Sequence, residues 1–351
     1  MKIILVANKY DYGDPKRGLS MAYYNFYDSL TKMNNGRNLV FHFPSDEKIR
    51  EKGLALASKE LWEMVQKEKP DLIFFVEGGV NRETIKKITK SNITTLIWMT
   101  DDHWQFEIYS KYSCFDYTFV ATTDSKAPEK YRKIGYQNVI HTQWACNHFL
   151  YKPLPLPKIY DVTFVGAPHG NRKAIVSKIK KAGINIQCWG SGWENGRVSQ
   201  EEMIRIFSQS KINLNFTKSS GVFWKEFGLI FLRRNPDRSI KLRHPKEWFD
   251  HIKALPASLW SRQIKGRNFE IPGCGGFLLT EYADNLKDYY EIGKEIVCFE
   301  GVEDLIEKIK YYLIREQERE AIAKAGYERT LREHTYEQRF NKIFRAIDLQ
   351  S

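Results

Sequence analysis

Apolar segments of strand length alternate with helical segments along most of this chain of 351 residues. Several of these segments are continuous, as in Leu72 to Val76, and a continuous apolar strand is buried on both faces of its sheet. Strands that alternate with helices pair in parallel through right-handed crossover connections. The predicted strands span residues 2–7, 39–43, 71–76, 94–99, 117–121, 139–143, 161–165, 184–189, 212–216, 277–280 and 296–299. The pattern predicts an α/β protein.

A proline-rich stretch interrupts this alternation near the middle of the chain. Pro153, Pro155 and Pro157 cannot continue a helix or a central strand, and 351 residues exceed one typical core. We therefore expect two Rossmann-like, doubly wound domains with an interdomain cleft. The first covers residues 1–152, with a helix over about 335–351 packing back on it. The second covers 153–334 and contains an insertion of unknown conformation at about 217–260.

Charge and composition narrow the classes of function. The net charge of +12 favours a polyanionic partner, which is nucleic acid, an anionic membrane face or a phosphorylated small substrate. No zinc finger, RNP-type aromatic motif or helix-turn-helix spacing supports nucleic acid. Five scattered cysteines without a Cys-x-x-Cys pair indicate neither disulfides nor a zinc site. The short apolar N-terminus is too brief for a signal peptide, so we expect a cytoplasmic protein.

The stretch from Arg267 to Glu281 combines a carboxylate, a glycine cluster and an apolar strand. Glu270 falls on a predicted short helix that ends at the cluster containing Gly275 and Gly276. Glycine tolerates positive φ and close approach of a ligand. The strand that follows would hold Glu270 at the carboxyl edge of a parallel sheet, where open α/β sheets bind ligands. The stretch predicts a nucleotide pocket.

Polar residues also follow strands of the first domain, at Gly78-Gly79 and at Asp101, Asp102 and His103. A general base or a ligand-contacting imidazole would be expected after the strand 94–99 if the protein is an enzyme. A structural histidine is the alternative for His103. The two aspartates are adjacent, so in a strand-like conformation they point opposite ways and do not form the Asp-x-Asp arrangement of a metal site.

The basic insertion carries Arg233, Arg234 and Arg238 among several tryptophans. Basic residues attract anionic headgroups, and tryptophan prefers the membrane interface. The insertion therefore has two interpretations. In the first it contacts an anionic membrane, peripherally at the inner membrane face, or a lipid-linked ligand. In the second it is a solvated charged loop.

The segment Lys265 to Leu279 resembles the signature of GT-B glycosyltransferases, especially the CgeB-like, spore-maturation-type branch of the group 1 families. Other segments agree with this family in order: Thr163-Phe164-Val165-Gly166, Gly190-Ser191-Gly192-Trp193, 198–203 and 210–216. The resemblance extends from about residue 138 to 340 and is looser before it.

This resemblance implies transfer of a sugar from a nucleotide-diphosphate-sugar donor, held mainly by the C-terminal domain, to an acceptor held by the N-terminal domain. The acceptor is a glycan, a lipid-linked sugar or a protein. Glu270 matches the second Glu of the family's E-x7-E pattern, whose carboxylate binds the ribose hydroxyls; the alternative is a Glu that caps its own helix. Arg262 stands where the first Glu is expected, and this departure leaves the contact to the donor sugar open.

The resemblance also implies groups for the donor phosphates. Arg172 matches the family's basic residue after the first strand of the second domain, where Gly166 ends that strand, and Arg267 is a second candidate. Gly18 precedes a helix as the family's glycine loop does. Cations stabilise a diphosphate leaving group without a metal or another cofactor. Two rivals remain: a catalytically silent nucleotide- or sugar-binding module on the same fold, and a two-lobed solute-binding protein, which would need an export signal.

Overall fold

The computed structural model describes residues 1–76, 79–218, 223–234 and 240–349. Gly78 and Arg238, singled out above, lie outside these residues. The chain divides into two compact units. The N-terminal unit comprises Met1–Gln143 together with the segment from Tyr336 on, and the C-terminal unit comprises Trp144–Thr335. The division precedes the proline-rich stretch because Cys146 already donates its backbone N–H to His334 at 2.9 Å.

The N-terminal unit contains a six-stranded parallel sheet. Its strands are β1 (Lys2–Ala7), β2 (Leu39–Pro44), β3 (Leu72–Val76), β4 (Thr94–Met99), β5 (Phe119–Thr122) and β6 (Val139–His141). Their order across the sheet is β2-β1-β3-β4-β5-β6, and every pairing is parallel. Every residue of β3 is buried, as its continuous apolar sequence predicts.

Helices connect these strands. A π-helical segment, Ala22–Tyr27, leads into α1 (Asp28–Gly36), and Phe106–Ser110 is also π-helical. The others are α2 (Ser45–Glu68), α3 (Arg82–Lys90), α4 (Asp102–Gln105), α5 (Lys111–Ser113) and α6 (Ala127–Lys133). Short 3₁₀ turns occur at Asp11–Gly13, Pro15–Arg17 and Cys114–Asp116. The α3 helix begins where the Asn81 side chain accepts the Thr84 backbone N–H at 2.8 Å, a typical N-cap.

The C-terminal unit has a five-stranded parallel sheet. Its strands are β7 (Tyr160–Val165), β8 (Ile186–Trp189), β9 (Ser210–Asn215), β12 (Leu278–Glu281) and β13 (Val297–Phe299), in the order β13-β12-β9-β7-β8. Its helices are α7 (Arg172–Lys181), α8 (Gln200–Gln209), α11 (Arg267–Gly273), α12 (Gly301–Leu313) and α13 (Glu316–Glu333), with a 3₁₀ turn at Leu286–Asp288. Two doubly wound parallel sheets confirm the predicted α/β class.

The insertion consists of a helix, a two-stranded ribbon and a second helix. These are α9 (Phe223–Phe231), β10 (Leu232–Arg234), β11 (Ile240–Leu242) and α10 (Pro245–Trp260). The Phe231 and Trp248 rings meet edge to face with centroids 5.1 Å apart, so the two helices pack on each other. None of the helices in the described ranges combines the length and the apolar character needed to cross a membrane.

The last helix, α14 (Tyr336–Ala346), belongs to the N-terminal unit. The Phe340 ring lies 5.5 Å from Phe26 and 5.7 Å from Phe74, and the Tyr336 ring lies 5.2 Å from Phe26. The Glu337 carboxylate accepts the backbone N–H of Asn34 at 2.8 Å. The α14 helix therefore completes the core of the N-terminal unit.

Candidate functional site

Neighbouring strands β7, β9 and β12 end at the same edge of the C-terminal sheet, because they are parallel. At this edge the Glu281 carboxylate accepts backbone N–H groups from Thr217 at 2.8 Å and Lys218 at 2.9 Å. Glu281 thus ties the loop after β9 to the end of β12. Sequence reasoning missed this residue, although an acid at the end of an apolar strand was a usable signal.

Arg172 begins α7 and reaches across the ends of two strands. Its guanidinium donates to the carbonyl of Ala167 at 2.9 Å and to that of Phe216 at 3.2 Å. Burial lowers the pKa of Arg172, and the nearby negative charge of Glu281 offsets only part of this decrease. Within the described parts of the chain, no carboxylate lies in ion-pair distance of this guanidinium. The positively charged Arg172 guanidinium therefore lies at the carboxyl edge of the sheet and donates to two uncharged carbonyl groups.

Arg267 and Glu270 lie together on α11, one helical turn apart. The Arg267 guanidinium donates to the Glu270 carboxylate, and its Nε is 3.5 Å from the Val165 carbonyl at the end of β7. The Glu270 residue is 2% exposed, whereas the Arg267 side chain is 30% exposed. Burial opposes the charge of Arg267, but the Glu270 carboxylate holds the pKa of Arg267 above its usual value. Two residues predicted to bind the sugar donor thus pair with each other, with Glu270 buried and Arg267 partly exposed.

Tyr151 also lies beside this pair. Burial, together with the Glu270 charge, raises the pKa of Tyr151 well above its usual value. A phenol that stays protonated can donate a hydrogen bond to a carboxylate. Tyr151 is fully buried, and it brings the segment before β7 into contact with Glu270.

The glycine cluster allows α11 to meet the sheet closely. Gly275 has φ +67°, which turns the chain from helix to strand. A Cβ at Gly276 would lie 2.9 Å from Asn213 Nδ2 and 3.1 Å from the Phe207 carbonyl oxygen. Gly166 directly follows β7, and a Cβ there would lie 2.8 Å from the Phe164 ring. These positions require glycine for packing, whether or not a ligand approaches them.

A buried polar network supports the segment before Glu270. The Asn215 amide donates to Asn268 and to Thr280, each at 3.1 Å, and Asn268 donates to Thr280 at 3.2 Å. The Asn268 oxygen also accepts the Lys265 backbone N–H at 2.9 Å. The network links β9, β12 and α11, and sequence reasoning missed it because its members are up to 65 residues apart.

Arg262 lies at the same edge of the C-terminal sheet. Its backbone pairs with Lys218 in an isolated bridge, and its carbonyl accepts the Asp284 N–H at 3.1 Å. The side chain is exposed. The residue that replaces the expected acid is therefore anchored beside the loop after β9, with a basic side chain toward solvent.

In the N-terminal unit, the two adjacent aspartates after β4 have different surroundings. Asp102 is fully buried, and its carboxylate accepts the Tyr131 hydroxyl at 2.9 Å. Burial raises the pKa of Asp102. Asp101 instead lines a cavity of about 750 Å³. His103 follows on the short helix α4 and is half-buried.

This N-terminal cavity is rich in aromatic side chains. Tyr10, Tyr12, Trp104 and Tyr109 line it, together with the polar residues Asn8, Ser20, Thr100, Asp101 and Gln105. The loop from Asn8 to Ser20 forms one wall, and Tyr10 pairs with Leu19 across it. Gly18, with φ +81°, makes the turn that allows this pairing. Apart from Gly18, sequence reasoning assigned no role to this loop.

Comparisons with known proteins agree with this architecture. Residues 172–345 match the family model described as glycosyl transferase-like. Spore protein CgeB of Bacillus subtilis (strain 168) is 22% identical over 284 residues, which cover 80% of this chain and 83% of that protein.

Solved structures resemble the whole chain. Sucrose-phosphate synthase from Thermosynechococcus elongatus has a TM-score of 0.59 at 11% identity, with both chains fully covered. HepE of Anabaena, determined with UDP-glucose, has a TM-score of 0.63 at 11% identity, also with both chains fully covered. The parallel sheets, the matched family model and the similarity to CgeB confirm the predicted resemblance to GT-B glycosyltransferases of the CgeB-like branch.

Proposed function

We propose that the protein transfers a sugar from a nucleotide-diphosphate-sugar donor to an acceptor that is a glycan, a lipid-linked sugar or a protein. The observation that carries this proposal is the set of two guanidinium groups, Arg172 and Arg267, with Glu270 at the carboxyl edge of the C-terminal sheet. Open α/β sheets bind ligands at this edge. The UDP-glucose complex of HepE makes uridine diphosphate sugars the first donors to test.

In the proposed complex, the ribose hydroxyls donate to Glu270 and the diphosphate lies against Arg172 and Arg267. Arg172 supports the phosphate role best, because it donates to two carbonyl oxygens and no carboxylate among the residues that the structure describes lies at ion-pair distance from it. The glycines 166, 275 and 276 bring backbone close to the donor. When the bond from the anomeric carbon to the phosphate oxygen breaks, the diphosphate leaves with the bonding electrons, and guanidinium groups stabilise that charge.

We assign the acceptor to the N-terminal cavity. Its aromatic side chains offer apolar ring faces, and its amide and hydroxyl groups supply hydrogen bonds, a combination typical of small-molecule sites. The acceptor hydroxyl forms the new glycosidic bond and gives its proton to a base, for which Asp101 and His103 are the candidates. The full burial of Asp102 favours a role in holding this segment to Tyr131.

We further propose that the reaction uses neither a metal nor another cofactor, since two guanidinium groups already supply positive charge for the diphosphate. Transfer that persists in the presence of EDTA would agree with this. Loss of transfer on chelation, with recovery on adding Mg²⁺ or Mn²⁺, would contradict it.

A catalytically silent nucleotide- or sugar-binding module is the second candidate. Arg262 favours it, because an exposed basic side chain replaces the acid expected to bind the donor sugar. A silent module would bind nucleotide through Arg172 and Glu270 and turn over no donor.

A panel of nucleotide sugars separates the two candidates. Binding is measured by thermal shift, because a ligand that binds only the folded protein raises its melting temperature. Hydrolysis and transfer are measured by mass spectrometry, with Arg172→Met as the matched control. Release of nucleoside diphosphate by the natural chain and not by the control supports the enzyme. Binding without turnover on any donor and acceptor supports the silent module, and the absence of both overturns the proposal.

A further inference from the structure

The insertion exposes large apolar side chains on each of its three elements. On α9, Phe223, Trp224 and Phe227 are exposed, and Trp224 is 78% exposed. Phe223 and Phe227 stack with ring centroids 6.0 Å apart, so they form one surface. Exposed apolar patches on this scale mark contacts with another protein or with a membrane.

The exposed residues of α10 lie on one face of that helix. Phe249, Ile252, Pro256 and Trp260 recur at intervals of three and four residues, which places them in one stripe. Phe249 is 62% exposed and Trp260 is 64% exposed. Lys253 places its ammonium 4.4 Å from the centre of the Phe249 ring, at the border of this stripe. The helix therefore combines tryptophan and phenylalanine with flanking lysine.

The ribbon between the helices carries apolar side chains on one face and basic side chains on the other. Leu232 pairs with Leu242 and Arg233 pairs with Lys241 across the two strands. Because successive side chains of a strand point to opposite faces, Leu242 and Ile240 share one face and Lys241 lies on the other. Ile240 and Leu242 are exposed. The ribbon thus has an exposed apolar face and a basic face.

We propose that this surface, formed by the exposed apolar residues of α9, the ribbon and α10, docks on an anionic lipid bilayer. Residues 217–260 contain nine basic and four acidic side chains, so the insertion carries a net positive charge that an anionic surface attracts. Tryptophan and phenylalanine insert at the level of the headgroups, while lysine stays in contact with lipid phosphate. A second copy of the chain would instead bring two basic segments together, and like charges oppose that contact.

Binding of the full-length protein to vesicles tests this proposal and requires no donor, so its outcome is independent of the transferase proposal. Flotation is compared between vesicles of phosphatidylcholine alone and vesicles that also contain phosphatidylglycerol. We expect flotation with the anionic vesicles only, and weaker flotation at high salt because salt screens exposed charges. Equal flotation with both kinds of vesicle, or with neither, overturns the proposal.

Apolar variants locate the contact. The triple variant Trp224→Ser, Phe249→Ser and Trp260→Ser is expected to bind anionic vesicles roughly tenfold or more weakly, because aromatic burial is lost. The matched control replaces Leu56 and Ile314, which are also exposed but lie outside the insertion, with serine. Circular dichroism confirms folding of both variants. Equal vesicle binding by the two variants contradicts the proposal.

Basic variants test the electrostatic part. Lys246→Ser with Lys253→Ser removes two cations beside the α10 stripe, and each is worth about fivefold in binding, so we expect a loss of roughly 25-fold. Lys67→Ser with Lys324→Ser is the matched control, since both lysines are exposed elsewhere. Analytical ultracentrifugation of the natural chain adds a separate readout. Self-association that the apolar variant abolishes, without any vesicle binding, would assign the surface to a second copy instead.

Discussion

Replacing Glu270 with alanine distinguishes a ribose-binding carboxylate from one that only stabilises its own helix. In the structure Glu270 is 2% exposed and accepts a hydrogen bond from Arg267. Removing one partner of a buried ion pair costs about 3–5 kcal/mol. Because the Arg267 side chain is 30% exposed, water can solvate it, and we expect about 3 kcal/mol. For a unit of this size, that loss lowers the melting temperature by roughly 6–12 °C.

Both interpretations of Glu270 predict this loss of stability, so ligand binding must decide between them. A carboxylate that accepts ribose hydroxyls contributes about 1.5–3 kcal/mol, which corresponds to roughly 10- to 150-fold in affinity. Glu270→Ala should then weaken binding of a nucleoside diphosphate and of its nucleoside by the same factor. Arg267→Met breaks the same pair but should weaken only the diphosphate, because the nucleoside carries no phosphate.

Isothermal titration calorimetry at a temperature where all variants are folded gives these affinities. The double variant, Glu270→Ala with Arg267→Met, should recover part of the lost stability, since neither charge is then left unpaired. Unchanged nucleoside affinity in Glu270→Ala, together with the lowered melting temperature, would refute the ribose role and leave Glu270 as the internal partner of Arg267.

Three further variants test the site and its support. Arg172→Met should weaken binding of a nucleoside diphosphate about 10- to 100-fold and leave its nucleoside unaffected; an equal loss for both ligands, measured by calorimetry, would contradict a phosphate contact. Gly276→Ala should cost about 1–3 kcal/mol in urea unfolding, because its Cβ meets Asn213 at 2.9 Å, whereas Gly228→Ala, which meets nothing within 4 Å, should not destabilise. Asp102→Asn should raise the melting temperature at neutral pH. Burial raises the pKa of Asp102 in the folded state, so ionisation of this carboxyl group favours the unfolded chain once the pH exceeds the pKa of Asp102 in the unfolded chain. The gain in melting temperature should vanish in acid, where Asp102 is protonated in both states. A gain that is the same at every pH would contradict that cause.

The strands were predictable because their sequences are continuous and apolar. The segment 71–76 contains five consecutive apolar residues, and all five residues of β3, Leu72–Val76, are buried between neighbours on both sides. A strand with this pattern has few alternatives in a protein of this length. The parallel pairing followed from the helices between the strands.

The insertion was unpredictable for the opposite reason. Amphipathic periodicity shows where a helix faces a core, but α9 and α10 expose Trp224, Phe249 and Trp260 as well as burying Ile230 and Leu259. With apolar residues on both the buried and the exposed sides, the sequence does not show which side of each helix faces the core.

Local sequence proposed Arg172, Arg267 and Glu270 as site residues but did not give their partners. Arg267 and Glu270 are one turn apart, so their pairing could have been anticipated from helical geometry. The contact of Glu281 with Thr217 spans 64 residues, and that of Asn215 with Thr280 spans 65. Such contacts depend on the order of the strands in the sheet, and this order cannot be read from the local pattern of a single sequence.

The helix α14 has a consequence for synthesis of the chain on the ribosome. Phe26 and Phe74 are packed against Phe340, which is made only after the whole C-terminal unit. Domains usually fold in the order of synthesis, N-terminal first. Here the C-terminal unit has all of its residues before the N-terminal unit does, so the first unit to be translated is the last to finish folding. Until α14 has been made, the nascent N-terminal unit keeps an apolar surface uncovered for chaperones to bind.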